Sequence, residues 1–338
     1  MIRAASFLFV FVVLVGCSSA PRVGEPVVRM HDEIVVGGTL IHSGAPVVLW
    51  TDPGGYDGYR VEKRFSPLEE ADWDHAKNAI KTPNRYDSRA TDPVLAEATR
   101  GGNWSKSQLE ATVDQIVLHY DASGTSRQCF HTLHDLRGLS IHFMIDVDGT
   151  IYQTLDVKEK AWHATKSNAR SIGIEIANIG AYSTDSPVLT RWYRRDENGL
   201  VLTLPAELGD GGVRTPGFVA RPRTSDFVQG EIHGERFLQA DFTPQQYGSL
   251  ACLLAALTSA VPSIPLEAPR DEKGVVLTRV MTEQEWKEFR GVLGHDHIQA
   301  NKIDPGPALD WDALLAEARS RAGSRVGSSF YRSQPEQD

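Results

Sequence analysis

Between Gln115 and Ile176 the chain carries four short apolar stretches broken by turn residues, and this restricts it to a sheet of brief strands. Ile116-Val117-Leu118-His119 reads as the edge of a buried strand. Ile141, Phe143 and Ile145 alternate with His142 and Met144, and Asp146-Val147-Asp148-Gly149 reads as a hairpin turn into Thr150-Ile151-Tyr152-Gln153. Those two segments are expected as neighbouring antiparallel strands. In Ile172-Gly173-Ile174-Glu175-Ile176 the isoleucines share one face, which sends Glu175 to the other, beside a glycine that leaves room above the sheet. A carboxylate so placed has a reason to face a cleft.

Helical signals accompany these strands. Ser126 to Arg137 sets Cys129, Phe130, Leu133 and Leu136 at helical spacing, leaving His131 and His134 as solvated side chains on or near the polar flank. Thr243-Pro244-Gln245-Gln246 supplies an N-cap, a proline at the first helical position and a capping box. That helix runs through Tyr247, Leu250, Leu254 and Leu257 until Pro262 stops it, and a last one begins near Asp310-Trp311 and ends before Gly323.

At the N-terminus, Met1-Ile2-Arg3 precedes an apolar run from Ala4 to Val15 interrupted only by Ser6, too short to span a bilayer but suited to a secretory signal. Leu14-Val15-Gly16-Cys17 resembles the lipobox of bacterial lipoproteins, in which the cysteine is acylated and becomes the new N-terminus. Ser18 and Ser19 resemble the residues that follow it in lipoproteins sent to a Gram-negative outer membrane. Removing residues 1–16 takes away Arg3 and no acid, moving the formal charge from −9 to −10. An acidic chain without Lys/Arg blocks is poorly suited to nucleic acid, whose binding rests on phosphate neutralisation. Only Cys129 and Cys252 remain after Cys17, and buried thiols are their expected state.

Three residues distant in sequence could meet at one metal: His119 after its apolar strand, His295 in Gly294-His295-Asp296-His297-Ile298, and Asp304 in Lys302-Ile303-Asp304-Pro305-Gly306. Two imidazoles and a carboxylate suit Zn²⁺ with a fourth position open for water, the mark of a catalytic site. Around them stand, in order, His119-Tyr120, Ser140-Ile141-His142-Phe143, Ala161-Trp162-His163-Ala164, the Glu175 strand, and the run from His295 to Asp304.

This ordered series, over roughly residues 110–320, resembles the zinc-dependent N-acetylmuramoyl-L-alanine amidases, a family that also contains peptidoglycan recognition proteins and a phage lysozyme. The resemblance implies an α/β fold, a central mixed sheet flanked by helices, with a zinc cleft. It implies Zn²⁺ on His119, His295 and Asp304, Glu175 as proton shuttle, Lys302 as stabiliser of the oxyanion, and Trp162 with His163 along the substrate groove. Period two puts His297 on the face of His295, and the family pattern favours His295 as ligand, leaving His297 beside it or facing solvent. Asp304 and Ile141 stand where the lysozyme and animal branches carry cysteine and tyrosine, which together with Glu175 points to the bacterial recycling and outer-membrane branch.

The expected organisation is a signal peptide over 1–16, a lipid-anchored tether over 17–26 and an N-terminal β-rich extension over 27–106, either a module or a wrapping segment. The amidase domain then covers 107–322, with an insertion at about 181–240 too polar for a core, either a groove wall or a decoration, and a mobile tail follows at 323–338. The expected substrate is peptidoglycan or a muropeptide, hydrolysed between N-acetylmuramic acid and L-alanine for wall remodelling or recycling. A monomer is expected, held at the membrane through the Cys17 lipid anchor and facing the periplasm. The competing class is a recognition protein that binds peptidoglycan without cutting it.

Overall fold

The computed structural model describes residues 22–73, 85–102, 104–184 and 186–323. The expected signal region, Cys17 and the tail from 324 lie outside them. Residues 22–30 form a separate unit with a turn closed from Glu25 N–H to Arg22 O and no regular element.

From residue 31 the chain opens with β1 (Glu33–Val36), β2 (Thr39–His42), β3 (Val47–Leu49) and β4 (Tyr86–Ser88), then α1 (Pro93–Ala98) and α2 (Lys106–Thr112). The central part is β5 (Gln115–Tyr120), α3 (Ser126–Phe130), β6 (Phe143–Ile145), β7 (Ile151–Gln153), β8 (Glu159–Ala161) and β9 (Ser171–Ile176). Next come α4 (Pro187–Trp192), β10 (Tyr193–Asp196), β11 (Gly199–Leu202), β12 (Val228–Ile232) and β13 (Glu235–Gln239). The C-terminal part is α5 (Pro244–Ala260), α6 (Glu283–Glu288), β14 (Gly291–Gly294) and α7 (Trp311–Arg321).

Six strands make one mixed sheet in the order β14-β5-β9-β6-β7-β3. β14, β5, β9 and β6 are parallel, β7 returns antiparallel to β6 as expected, and β3 pairs parallel with β7. Against one face, Ile116, Leu118, Phe143, Ile172 and Ile174 pack on Leu250, Leu254 and Leu257 of α5 and on Leu314 and Leu315 of α7. On the other, Met144 and Tyr152 pack on Cys129, Phe130 and Leu133. A sheet covered on both sides buries all six residues of β9, which is why its alternation marks two interiors and not an inside and an outside.

Helix α5 has the expected start: Thr243 accepts from Gln246 N–H, and the Gln246 side chain accepts from Thr243 N–H in return. Such a cap stabilises by about 1 kcal/mol. The helix expected over Ser126–Arg137 is α-helical only to Phe130 and continues as a π-helix over His131–Leu136. His134 is buried there and not solvated. Its Nδ1 lies 2.6 Å from Asp135 Oδ1 and its Nε2 3.0 Å from Arg60 O, while Asp135 accepts from the N–H groups of Arg64 and Phe65. A segment some seventy residues upstream covers the flank that local spacing marks as free.

Residues 31–73 and 85–102 belong to the same fold. β3 closes the far edge of the sheet and β4 pairs with β8. The β1–β2 hairpin is held by Gln153, whose side chain exchanges hydrogen bonds with Val35 N–H and O, and by Asp156, which accepts from Gly37 and Gly38 N–H. Residues 181–240, expected to lack a core, enclose a small one from Leu189, Tyr193 and Leu200 packed with Ile179 and Ala240. Cys129 and Cys252 are free, buried thiols.

Candidate metal centre and cleft

The site forms where parallel strands end, the place at which open α/β sheets receive ligands. His119 is the next-to-last residue of β5, directly across from Glu175 of β9, and His295 follows the last residue of β14. Asp304 comes from the loop after the 3₁₀ turn His295–His297. Its backbone O accepts from Asp296 N–H at 3.0 Å, which folds that loop back over the strand ends.

His119 Nδ1 and His295 Nδ1 lie 2.7 and 3.1 Å from the same atom, Asp304 Oδ2. All three residues are buried, and their donor atoms fall within 4.8 Å of one another, close enough to hold one ion. Burial pushes His119 down to about 4, so its imidazole is neutral at neutral pH and able to act as a ligand. Two imidazole nitrogens and one hard oxygen fit a divalent ion of the zinc type.

These donors line a cleft of about 290 Å³, which Glu175, Lys302 and His163 also border. Burial, then the charges of Asp304 and Asp121, push the Glu175 carboxyl well above its usual range, and Lys302 opposes the shift. Glu175 Oε2 is a buried oxygen without a partner. His163 touches His119 directly, with Nδ1 3.0 Å from His119 Nε2 and ring planes at 83°. Gly173 makes this possible: a β-carbon there would sit 2.6 Å from His163 Nδ1. The room that sequence assigns to Gly173 is taken by that ring.

Trp162 does not border this cleft. Its ring lies beneath the Lys160 ammonium at 5.4 Å, and its backbone N–H donates to Ser140 Oγ. His297 is buried and not solvent-facing; Nδ1 accepts from Gly294 N–H at 2.8 Å and Nε2 donates to Leu277 O at 2.7 Å. Both its nitrogens are spent, which leaves His295 as the available donor.

Several residues that shape the site carried no signal taken from the sequence. His233 in the β12–β13 turn places Nε2 2.8 Å from Lys302 O, and Gln239 donates to Pro305 O and accepts from Ala308 N–H. The 181–240 segment thus buttresses the Lys302–Asp304 loop. Gln299 Oε1 lies 2.6 Å from His295 Nε2; its place four residues after His295 is a helical-turn spacing that could have shown it.

A family model described as N-acetylmuramoyl-L-alanine amidase matches residues 109–307, more than half of the chain. Solved structures that resemble it include a selenomethionine derivative of AmpD, at 18% identity and TM-score 0.32, covering 78% of this chain and 98% of that one. The endolysin amidase LysCS from Clostridium intestinale shows 18% identity and TM-score 0.32, with coverage of 62% and 86%. AmiD from E. coli, in complex with anhydro-N-acetylmuramic acid-L-Ala-D-gamma-Glu-L-Lys, shows 18% identity and TM-score 0.34, with coverage of 61% and 57%. No curated protein matches the chain significantly.

Proposed function

The chain belongs to the N-acetylmuramoyl-L-alanine amidase family, and from that premise we propose a zinc-dependent hydrolase of the amide between N-acetylmuramic acid and L-alanine, with His119, His295 and Asp304 holding the ion. The observation that carries the zinc reading is the meeting of two imidazole nitrogens and one carboxylate oxygen within 4.8 Å at the cleft floor. When bound, zinc supplies Lewis acidity, which polarises a carbonyl and acidifies water.

Glu175 takes a proton from the attacking water as its oxygen bonds to the lactyl carbonyl carbon. It returns that proton to the L-alanine nitrogen as the C–N bond breaks, leaving a free amine and a carboxylic acid that gives its remaining proton to solvent. Burial suits the task, because it raises the basicity of a carboxylate that would otherwise be too weak to hold the proton between the two steps. Lys302 borders the same cleft and offers its ammonium to the oxyanion of the tetrahedral intermediate. A module that only bound peptidoglycan would need neither the metal set nor a buried acid beside it.

The test is mass spectrometry of an anhydro-muropeptide incubated with the mature protein, with and without chelator. Release of a peptide beginning with free L-alanine, abolished by chelator and restored by zinc, is expected; cleavage elsewhere, or cleavage indifferent to chelator, overturns the reading. The substrate partner is accordingly a peptidoglycan fragment.

For location, the support is the apolar run that stops at Gly16-Cys17. Acylation of Cys17 would hold the protein at the periplasmic side of the outer membrane, since several acyl chains anchor firmly where one binds marginally. Cys17→Ser should move it to the soluble fraction; wild-type protein with an unmodified N-terminus in that fraction would remove the anchor.

A further inference from the structure

We propose that His163 and Gln299 are positioning residues that fix the proton of His119 and of His295 on Nε2, so that both histidines present the Nδ1 lone pair to the metal. This rests on the metal reading of His119, His295 and Asp304.

For His119 the assignment follows from a chain of hydrogen bonds that runs one way. The Ser171 hydroxyl donates to Ser167 O at 2.7 Å, which leaves its oxygen as an acceptor for His163 Nε2 at 3.3 Å. His163 therefore carries its proton on Nε2 and has only a lone pair on Nδ1. That lone pair faces His119 Nε2 at 3.0 Å, so His119 must donate from Nε2. Its Nδ1 is then bare, 2.7 Å from Asp304 Oδ2. Two acceptors so close repel unless a cation lies between them.

For His295 the chain is shorter. The Gln299 side-chain oxygen stands 2.6 Å from Nε2 and takes its proton, again leaving Nδ1 to face Asp304, at 3.1 Å. Metal-bound histidines generally donate their second ring N–H to a partner that sets tautomer and orientation, and losing that partner costs about 10- to 100-fold in metal affinity.

The surroundings of His163 are built to hold it. Asn168 Oδ1 accepts from the backbone N–H groups of His163 and Ala164, at 3.0 and 2.6 Å. Arg89, fully buried, donates to Asn168 O and Ala169 O and fixes the far end of the same loop. Both His163 nitrogens are spent inside the protein, which leaves none for substrate and distinguishes this role from groove contact.

Two measurements test the proposal. Long-range ¹H–¹⁵N NMR of the zinc-loaded wild type should show His119 and His295 each with its proton on Nε2 and its Nδ1 coordinated; a proton on Nδ1 of either overturns the assignment for that residue. Zinc affinity, read by competition with a chromophoric chelator, should fall about 10- to 100-fold in His163→Ala and in Gln299→Leu. His163→Asn, whose amide oxygen stands near the place of Nδ1, and Gln299→Glu should recover most of the loss. Alanine at 163 binding zinc as tightly as the wild type, or asparagine doing no better than alanine, overturns it. Should His163→Ala fail to fold, the wild-type tautomers and His163→Asn still decide. Should the wild type bind no zinc, the metal reading fails and this proposal falls with it; should it bind zinc with a proton on either Nδ1, or with affinity unchanged in the variants, only this proposal fails.

Discussion

At the scale of single residues, the cleft separates groups that spacing reveals from groups that only folding recruits. His119 and Glu175 sit in strand segments whose pattern directs them toward an edge or a cleft, His295 and Asp304 stand in one short run, and all four arrive at one cleft. Glu175→Gln should keep zinc and bind substrate while turnover falls on the order of 10²- to 10⁴-fold, because an amide cannot carry the proton. Steady-state kinetics on the zinc-loaded variant checks this, and near-normal kcat would take Glu175 out of the mechanism. His142 illustrates the other class, since its burial and the Arg89 charge push it down to about 3 from a usual 6.5. The unfolded chain protonates His142 as pH drops below about 6.5 and the folded one only near 3, so its contribution is complete above that window and lost progressively on acidification through it. Glu159 O and Gly173 N–H hold the ring, and His163 packs across from it. His142→Asn keeps the acceptor for Gly173 and should melt with a flatter pH dependence between those limits; parallel curves for variant and wild type would rule His142 out as a source of acid sensitivity.

At the scale of elements, the hairpin of β6 and β7, the caps of α5 and the last helix were legible because each is decided by neighbours within a few positions. What escaped was decided at a distance. The polar flank assigned to His134 is covered by residues 60–65, and the extension expected over 27–106, whose place in the fold local pattern left open, supplies β4 and Arg89. Arg89 is wholly enclosed and donates to four carbonyls, those of Val157, Asn168, Ala169 and Ser171. Burial lowers it only to about 9, so it remains charged at neutral pH. Arg89→Met would leave those carbonyls without donors and should cost roughly 3 kcal/mol or more, read as a shift in denaturant midpoint. A loss below about 1 kcal/mol, the scale of one ordinary hydrogen bond, would show that water replaces the guanidinium without penalty.

At the scale of the whole molecule, the span matched by the family model starts at residue 109, but the sheet does not. β3 forms one of its edges and the β1–β2 hairpin is tied to Gln153 and Asp156. A chain beginning at residue 106 should therefore fail to melt cooperatively although it keeps every proposed ligand; a sharp transition with full zinc binding would make the earlier residues dispensable. The pairing of His119 with Asp304 across 185 residues has a temporal consequence. During synthesis His119 and Glu175 emerge long before β14 exists, and a parallel strand added from so far away is slow to dock. On the proposed metal reading, ion capture would thus be among the last steps in the making of a new copy. On the proposed metal reading, a fragment that stops short of Asp304 would lack one of the three ligands, so premature termination or clipping there would leave a protein unable to act on the wall.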